Sequence, residues 1–310
     1  MTDTELGLWG VPLAMLAGAI RVSTPFIFVS LGECLTERSG RINLGLEGTL
    51  VFGAMAGYAL AVESGSPWIG VCAAAIAGLL FGCLHAVCCQ LPRVNDIAIG
   101  IALMLLGTGL AFYFGKPYVQ PVAPDLPSLD LGWWSDSSQV QAALKVNILF
   151  PLGVALAVAM AWLLRSTRFG LTVRVVGDST EAARALGFNP NWIRLLSTAA
   201  GGALAGIGGA YLSLYYPGSW NEGISSGQGL IAVALVIFAR WQPIYCVGAA
   251  MIFGGAGALG PALQSVGFTS SYYLTYAAPF VLTLGVLIAS SSTTRALTGA
   301  PGEIQRQTSH

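Results

Sequence analysis

Arg21, Asn43 and Glu47 are polar groups standing inside, or at the mouth of, long apolar runs. An ionisable side chain there is costly and is by default a candidate for a solute path. Arg21 is followed by Ser23, Thr24 and Pro25. A proline inside a helix frees a backbone carbonyl, which the two hydroxyls can re-satisfy or leave facing a wet cavity. Glu47 lies about one turn beyond Asn43, and a pairing of Arg21 with Glu47 is expected if both stand at one depth. Trp220, Asn221 and Glu222, followed by Ser225, Ser226, Gly227 and Gln228, lead into an unusually short apolar run. That is the pattern of a broken or re-entrant helix. Aromatic surface beside hydrogen-bonding groups suits the binding of a polar, ring-bearing solute, though of many other polar solutes too. Fixed interhelix hydrogen bonds without solute contact, or an ordinary loop at 220–228, stay open as alternatives.

Chemistry of other kinds lacks its parts. ATP hydrolysis needs a glycine-rich loop closing on Lys-Ser/Thr so that backbone amides and the lysine cradle phosphates. The two lysines here are Lys116, followed by Pro117, and Lys145. No nucleophile elbow, zinc-protease pair or basic patch for nucleic acid is present, so the chain reads as neither an enzyme nor a nucleic-acid binder, with no cofactor implied. His85 shares a helix face with Cys88 and Cys89, and Cys83 is near. The spacing of metal ligands is missing, and small thiols are common apolar fillers, so packing is the reading there.

The elements that must position these groups follow from composition. Charged residues are 9% of the chain against 55% hydrophobic, where a soluble domain carries roughly a quarter charged. The fold class expected is an all-α polytopic membrane protein. Runs of the length that crosses roughly 30 Å of hydrocarbon are read at 9–31, 43–62, 67–89, 97–115, 147–164, 195–216, 228–239, 244–264 and 273–290, about nine helices in one transmembrane domain over 1–310. Alternating them puts Arg38, Arg41, Arg93, Arg165, Arg168, Arg174, Arg184, Arg194, Arg240, Arg295 and Arg306 on one side and leaves the two lysines on the other. The positive-inside rule then gives an outside amino terminus and a cytoplasmic carboxyl terminus. The eight tryptophans fall near run ends or in loops, where the ring suits the membrane interface. The first run, with no basic region before it and no small-residue cleavage site after it, reads as a retained span.

Laying Pro67 on Pro243 matches Val71 with Val247, Ala74 with Ala250, Ile76 with Ile252 and Gly78 with Gly254. The two stretches run in opposite directions under the alternation, as an inverted-topology repeat requires. Gly53-x-x-x-Gly57 and Gly202-x-x-x-Gly206 are expected to bring helix backbones close.

The longest cytoplasmic segment, 165–194, holds a short helix between two spans. Asp178 suits its N-cap, Glu181 can reach back as a capping box, Ala182, Ala183, Arg184 and Leu186 continue it, and Gly187 fits the left-handed stop. The stretch from Gly177 to Asn189, followed by 197–211, resembles the coupling-helix region of permeases of the branched-chain amino acid, ribose and nucleoside family of ABC importers. Residues 35–48, with Asn43-Leu44-Gly45-Leu46-Glu47-Gly48, and 227–235 resemble its nucleoside-type branch. The resemblance covers nearly the whole chain. It departs in a short amino terminus, without the extra leading span of ribose-type members, and in the turn Ala239–Pro243, which is poorer in glycine and asparagine. It implies a bacterial inner-membrane permease that imports nucleosides or related small polar solutes. Its implied partners are an ATP-binding subunit gripping the 178–187 helix, a second homologous permease in a heterodimer, and an extracytoplasmic substrate-binding lipoprotein, all amid membrane lipid. A passive channel or secondary carrier acting alone is the competing class. The capped helix argues against it, because a lone carrier has no use for a docking element.

Overall fold

Backbone amides and carbonyls in hydrocarbon must be satisfied from within, and a helix does so locally. The computed structural model describes residues 10–92, 94–119, 121–264 and 299–308, with positions 277, 281, 284 and 285 described singly. In chain order the helices are α1 (Gly10–Arg38), α2 (Leu46–Ser64), α3 (Pro67–Cys88), α4 (Asp96–Gly115), α5 (Ser138–Ala143), α6 (Leu149–Ser166), α7 (Arg168–Asp178), α8 (Thr180–Ala185), α9 (Pro190–Leu214), α10 (Gln228–Phe238), α11 (Pro243–Gln264) and α12 (Gly302–Thr308). A small antiparallel pair, β1 (Ser128–Asp130) and β2 (Lys145–Asn147), flanks α5 with Leu129 opposite Val146.

Six helices among the described residues are long and apolar enough to cross a membrane: α1, α3, α4, α6, α9 and α11. The chain is therefore a multi-pass membrane protein. Of the two remaining expected spans in this region, α2 has 19 residues and is largely enclosed by neighbours, and α10 has only 11. The run expected at 273–290 falls almost wholly outside the described residues.

Helix boundaries differ from the apolar runs where polar groups find partners. The first run stops at residue 31, yet α1 continues to Arg38. Glu33 is buried and accepts the Asn43 amide (2.8 Å), and Glu37 accepts the indole N–H of Trp241, so neither acid ends the helix. Cys34, one residue past Glu33, is buried as well. α9 starts five residues earlier than its run because the Asn189 side chain accepts from Asn191 (3.1 Å) and Trp192 (3.4 Å), with Pro190 at the first helical position. Two tryptophans also depart from the interface. Trp220 and Trp241 are buried inside the protein, whereas Trp162 and Trp192 remain exposed.

The helices define two ends. At one, Arg41 pairs with Asp96 (2.6 Å), Arg38 donates to the Trp241 carbonyl (2.9 Å), Arg165 reaches Gln242 (3.2 Å) and Arg194 donates to the Ser39 carbonyl (3.1 Å). At the other, the Tyr58 hydroxyl donates to the Pro121 carbonyl (2.8 Å) and accepts the Ala123 amide (3.3 Å), and Leu126 N–H donates to Leu214 (3.1 Å).

α9 lies at the centre, packed on α1, α2 and α3 through glycine seams. A Cβ at Gly78 would overlap the Gly202 carbonyl, and one at Gly202 would overlap the Gly78 carbonyl. A Cβ at Gly53 would come within 2.7 Å of the Gly206 backbone. Lipid supplies no hydrophobic drive for such association, so close backbone approach supplies the packing instead. Gly78→Leu is therefore expected to abolish the folded, monodisperse protein in detergent size exclusion. Gly109→Ala, where nothing lies within 4 Å, should leave the elution profile unchanged.

Candidate functional site

The turn before α2 sets the site. Gly40, with φ +86°, starts the reversal after α1. Asn43 then uses its side-chain oxygen to accept the Gly45 amide (2.9 Å) while its own N–H is held by Glu33. Asn43 is thus a buried turn-forming residue whose side chain directs the chain into α2. A Cβ at Gly48 would come within 2.6 Å of Met104, two turns into α4. Gly100, one turn into α4, meets Leu44 and Gly45, so α2 starts about 6–10 Å deeper than the Arg41–Asp96 end.

Glu47, in the first turn of α2, reaches across to another helix start. Its Oε1 accepts the Ser225 hydroxyl (2.5 Å) and the Gly227 amide (3.0 Å), and its Oε2 accepts the Gly229 amide (2.6 Å). Ser226 and Gly227 have φ of +46° and +85°, and this left-handed pair aims the amides of α10 at the carboxylate. A helix N-terminus is partially positive and leaves its first amides unpaired, so an anion placed there meets both needs. α10 is therefore a half-helix. It begins within the protein at the depth of Glu47 and runs to the Arg38–Trp241 contact.

The segment feeding α10 from the other end holds the remaining candidates. The Trp220 indole lies against Gly115, the last residue of α4, where a Cβ would collide with the ring. Asn221 accepts the Gly223 amide (3.1 Å), and both Asn221 and Glu222 are exposed. Arg21 stands near the phenols of Tyr211 and Tyr215 at the far end of α9, acting on both electrostatically. Pro25, one turn from Arg21, faces Gly208, and Gly208 also faces Leu50, one turn from Glu47 on its other side. Arg21 and Glu47 thus stand on opposite sides of the Pro25–Leu50 level. The structure brings Asn43, Glu33 and Glu47 into one region and leaves Arg21, Trp220, Asn221 and Glu222 towards the other end.

Glu33 and Glu37 were not among the candidates drawn from the sequence. Their spacing of four on one helix is the signal that could have found them, but it lies beyond the apolar run. Glu33 Oε2 has no hydrogen-bond partner among the described residues. The cysteine–histidine group is a contact of Cys89 Sγ with His85 Nε2 at 3.4 Å. Cys89 is buried, and the contact is one of packing.

At the arginine-rich end, α8 is the expected short helix with its cap moved by one residue. Ser179 caps it, accepting the Ala182 amide (3.2 Å), and Asp178 closes α7. Glu181 then sits second in the helix, not third, and the reciprocal capping box is not formed. Gly187, with φ +82°, ends the helix as expected. Ala183 is fully buried, while Glu181, Ala182, Arg184 and Leu186 project outward, Leu186 with 64% of its surface exposed. The preceding amphipathic helix α7, capped by the Thr167 hydroxyl on Gly170 (3.1 Å), was not anticipated.

A family model described as the permease component of the branched-chain amino acid transport system matches residues 15–289. A candidate glucose ABC transporter permease of Haloferax volcanii is 32% identical over 257 residues, spanning 81% of this chain and 78% of its own. A nucleoside ABC transporter permease of Lactococcus lactis is 29% identical, spanning 88% and 90%. A guanosine ABC transporter permease of Bacillus subtilis is 30% identical, spanning 84% and 87%.

Glu47→Ala would leave the Gly227 and Gly229 amides without an acceptor away from water, a loss of several kcal/mol. It is expected to lower uptake sharply in membranes carrying matched amounts of protein, whereas Glu47→Gln, which retains an acceptor oxygen, should keep a measurable fraction.

Proposed function

The chain belongs to the permease family of the branched-chain amino acid transport system and is the membrane subunit of an ABC importer, and we propose that its cargo is a nucleoside. Membership implies an ATP-binding subunit and a substrate-binding protein as partners. The observation that carries the nucleoside reading is the match of two permeases named for nucleoside and guanosine transport along 84–88% of this chain. The half-helix anchored on Glu47 supports a transport path at that point, because a broken helix at the interface of two repeats is where transporters place their path. A sugar is the competing cargo, favoured by the similarity to the candidate glucose permease.

Nine spans with the amino terminus outside and the carboxyl terminus in the cytoplasm is the topology we favour, in the inner membrane of a bacterium. It is supported by α12 standing at the arginine-rich end with Arg194. The inverted repeat gains support from contacts. The offset that lays Pro67 on Pro243 also carries Gly32 to Gly208 and Pro25 to Gly201. Gly32 packs on Gly201, and Pro25 packs on Gly208, so the offset exchanges one contact for the other. We assign the solute path to Arg21, Asn43, Glu47, Trp220, Asn221 and Glu222, with Glu47 and Asn43 shaping it through backbone contacts. Docking of the ATP-binding subunit falls to Asp178, Glu181, Ala182, Ala183, Arg184, Leu186 and Gly187. Ala183 packs the helix inward, Asp178 closes α7 before it and accepts the Gly302 amide, and the others face outward. The partner permease is a homologous but distinct chain, and the delivering protein is a lipoprotein.

In proteoliposomes this chain alone should give no ATP-driven uptake of tritiated guanosine. Adding its ATP-binding and second permease subunits with the binding protein should restore it, with unlabelled adenosine competing and glucose not. Competition by glucose alone would replace the nucleoside reading with the sugar one, and uptake without ATP-binding subunit would point to a carrier. Arg21→Ala should reduce guanosine uptake at least several-fold while the amount of assembled complex stays the same.

A further inference from the structure

We propose that Glu303 of α12 is a positioning residue for α8, fixing the first turn of the docking helix so that α8 and the carboxyl-terminal segment meet the ATP-binding subunit as one preset unit. The proposal rests on the docking role of α8 given above. Glu303 Oε1 accepts the Thr180 amide at 2.9 Å. That amide is the first of α8, one of the groups a helix start leaves unpaired. Ser179, the cap, satisfies Ala182 instead, so the two acceptors divide the first turn between them.

The second carboxylate oxygen lies 3.7 Å from the Arg194 guanidinium. Arg194 is itself buried, donating through Nε to the Ser39 carbonyl (3.1 Å) and through Nη2 to the Thr180 hydroxyl (2.9 Å). The residue after α1, the second turn of α9, the start of α8 and α12 therefore converge on one guanidinium. Alongside it, Gly302 N–H reaches the Asp178 carboxylate at 3.4 Å, and Ile304 is buried. Gly40 leaves room for this arrangement, because a Cβ there would stand 3.1 Å from that of Glu303. A charge-assisted hydrogen bond in a part-buried setting is stronger than a neutral one. It acts on the inner side of α8, while the exposed side carrying Leu186 stays open.

The test titrates the full-length purified chain with its ATP-binding subunit, without solute. Glu303→Ala removes the acceptor. Thr180→Pro removes the donor at a position where proline suits a helix, and Ser179 already has the extended backbone that precedes proline. It also removes the hydroxyl that Arg194 uses, so Thr180→Val, which loses the hydroxyl alone, is its control and should bind normally; an equal loss there overturns the proposal. Glu303→Ala and Thr180→Pro should each weaken binding about tenfold with the unfolding midpoint of the permease unchanged. The double variant should be no weaker than either single one, and Glu303→Gln, which keeps the acceptor oxygen, should recover most of the affinity. A lowered midpoint with unchanged affinity, or additive losses in the double variant, overturns the proposal. If Glu303→Ala fails to assemble, Thr180→Pro decides. Leu186→Glu on the exposed side separates the two readings. Weakened binding there with normal binding in Glu303→Ala and Thr180→Pro removes the positioning role alone. Normal binding in all three removes the docking role as well.

Discussion

A helix that begins in the middle of a membrane protein presents amides that water cannot reach, and the Glu47 carboxylate takes those of α10. Most of the architecture around α10 follows from this demand. The chain can turn back at Gly227 only because an anion waits there, and the anion sits at the right depth only because Asn43 starts α2 well inside the arginine-rich end. Asn43 in turn is held by Glu33, which requires α1 to continue past its apolar run. Three polar residues, from α1, the turn after it and α2, thus form one dependent series, ending in a half-helix of 11 residues.

The second constraint is the absence of a hydrophobic drive between helices in lipid. Leu80 of α3 and Leu105 of α4 point outward, with 61% and 65% of their surface exposed, while the neighbouring glycines face inward. The apolar bulk therefore meets lipid or another subunit, and small residues make the contacts that hold the bundle. A glycine-rich chain that looks permissive as a sequence is restrictive as a structure, because Gly78, Gly202 and Gly206 each face backbone atoms that no side chain could approach.

How much of this was legible follows the same physics. Helices longer than their apolar runs were misread at their ends, since hydropathy cannot register that Glu33 and Glu37 are buried with partners. The position of α8 is readable from its alanines and Gly187, but the cap falls on Ser179 and not on the expected Asp178, because α7 extends through Asp178. α7 itself escaped because its arginines masked a buried face of Val173 and Val176. Depth was the least legible quantity. Arg21 and Glu47 each lie within or at the edge of an expected span, yet the crossing of α1, α2 and α9 places them on opposite sides of the Pro25–Leu50 level. The glycine spacings were read correctly as seams, because a four-residue repeat needs no knowledge of the partner. The short run at 228–239 was legible as a broken element, but its acceptor was not, since nothing local links Glu47 to Gly229.

The turn that follows α10 gives this half-helix a mechanical character. Arg240 and Trp241 both hold φ near +50°, a conformation that non-glycine residues leave unless held. Glu37 grips the Trp241 indole and Arg38 its carbonyl, so the far end of α10 is riveted to α1 while its near end is riveted to α2. A rigid rod of about 16 Å pinned at both ends converts any sliding of α2 along α1 into its own rotation. The angle of α10 is then a gauge of the relative position of its two supports, and nothing else need change length for that angle to swing.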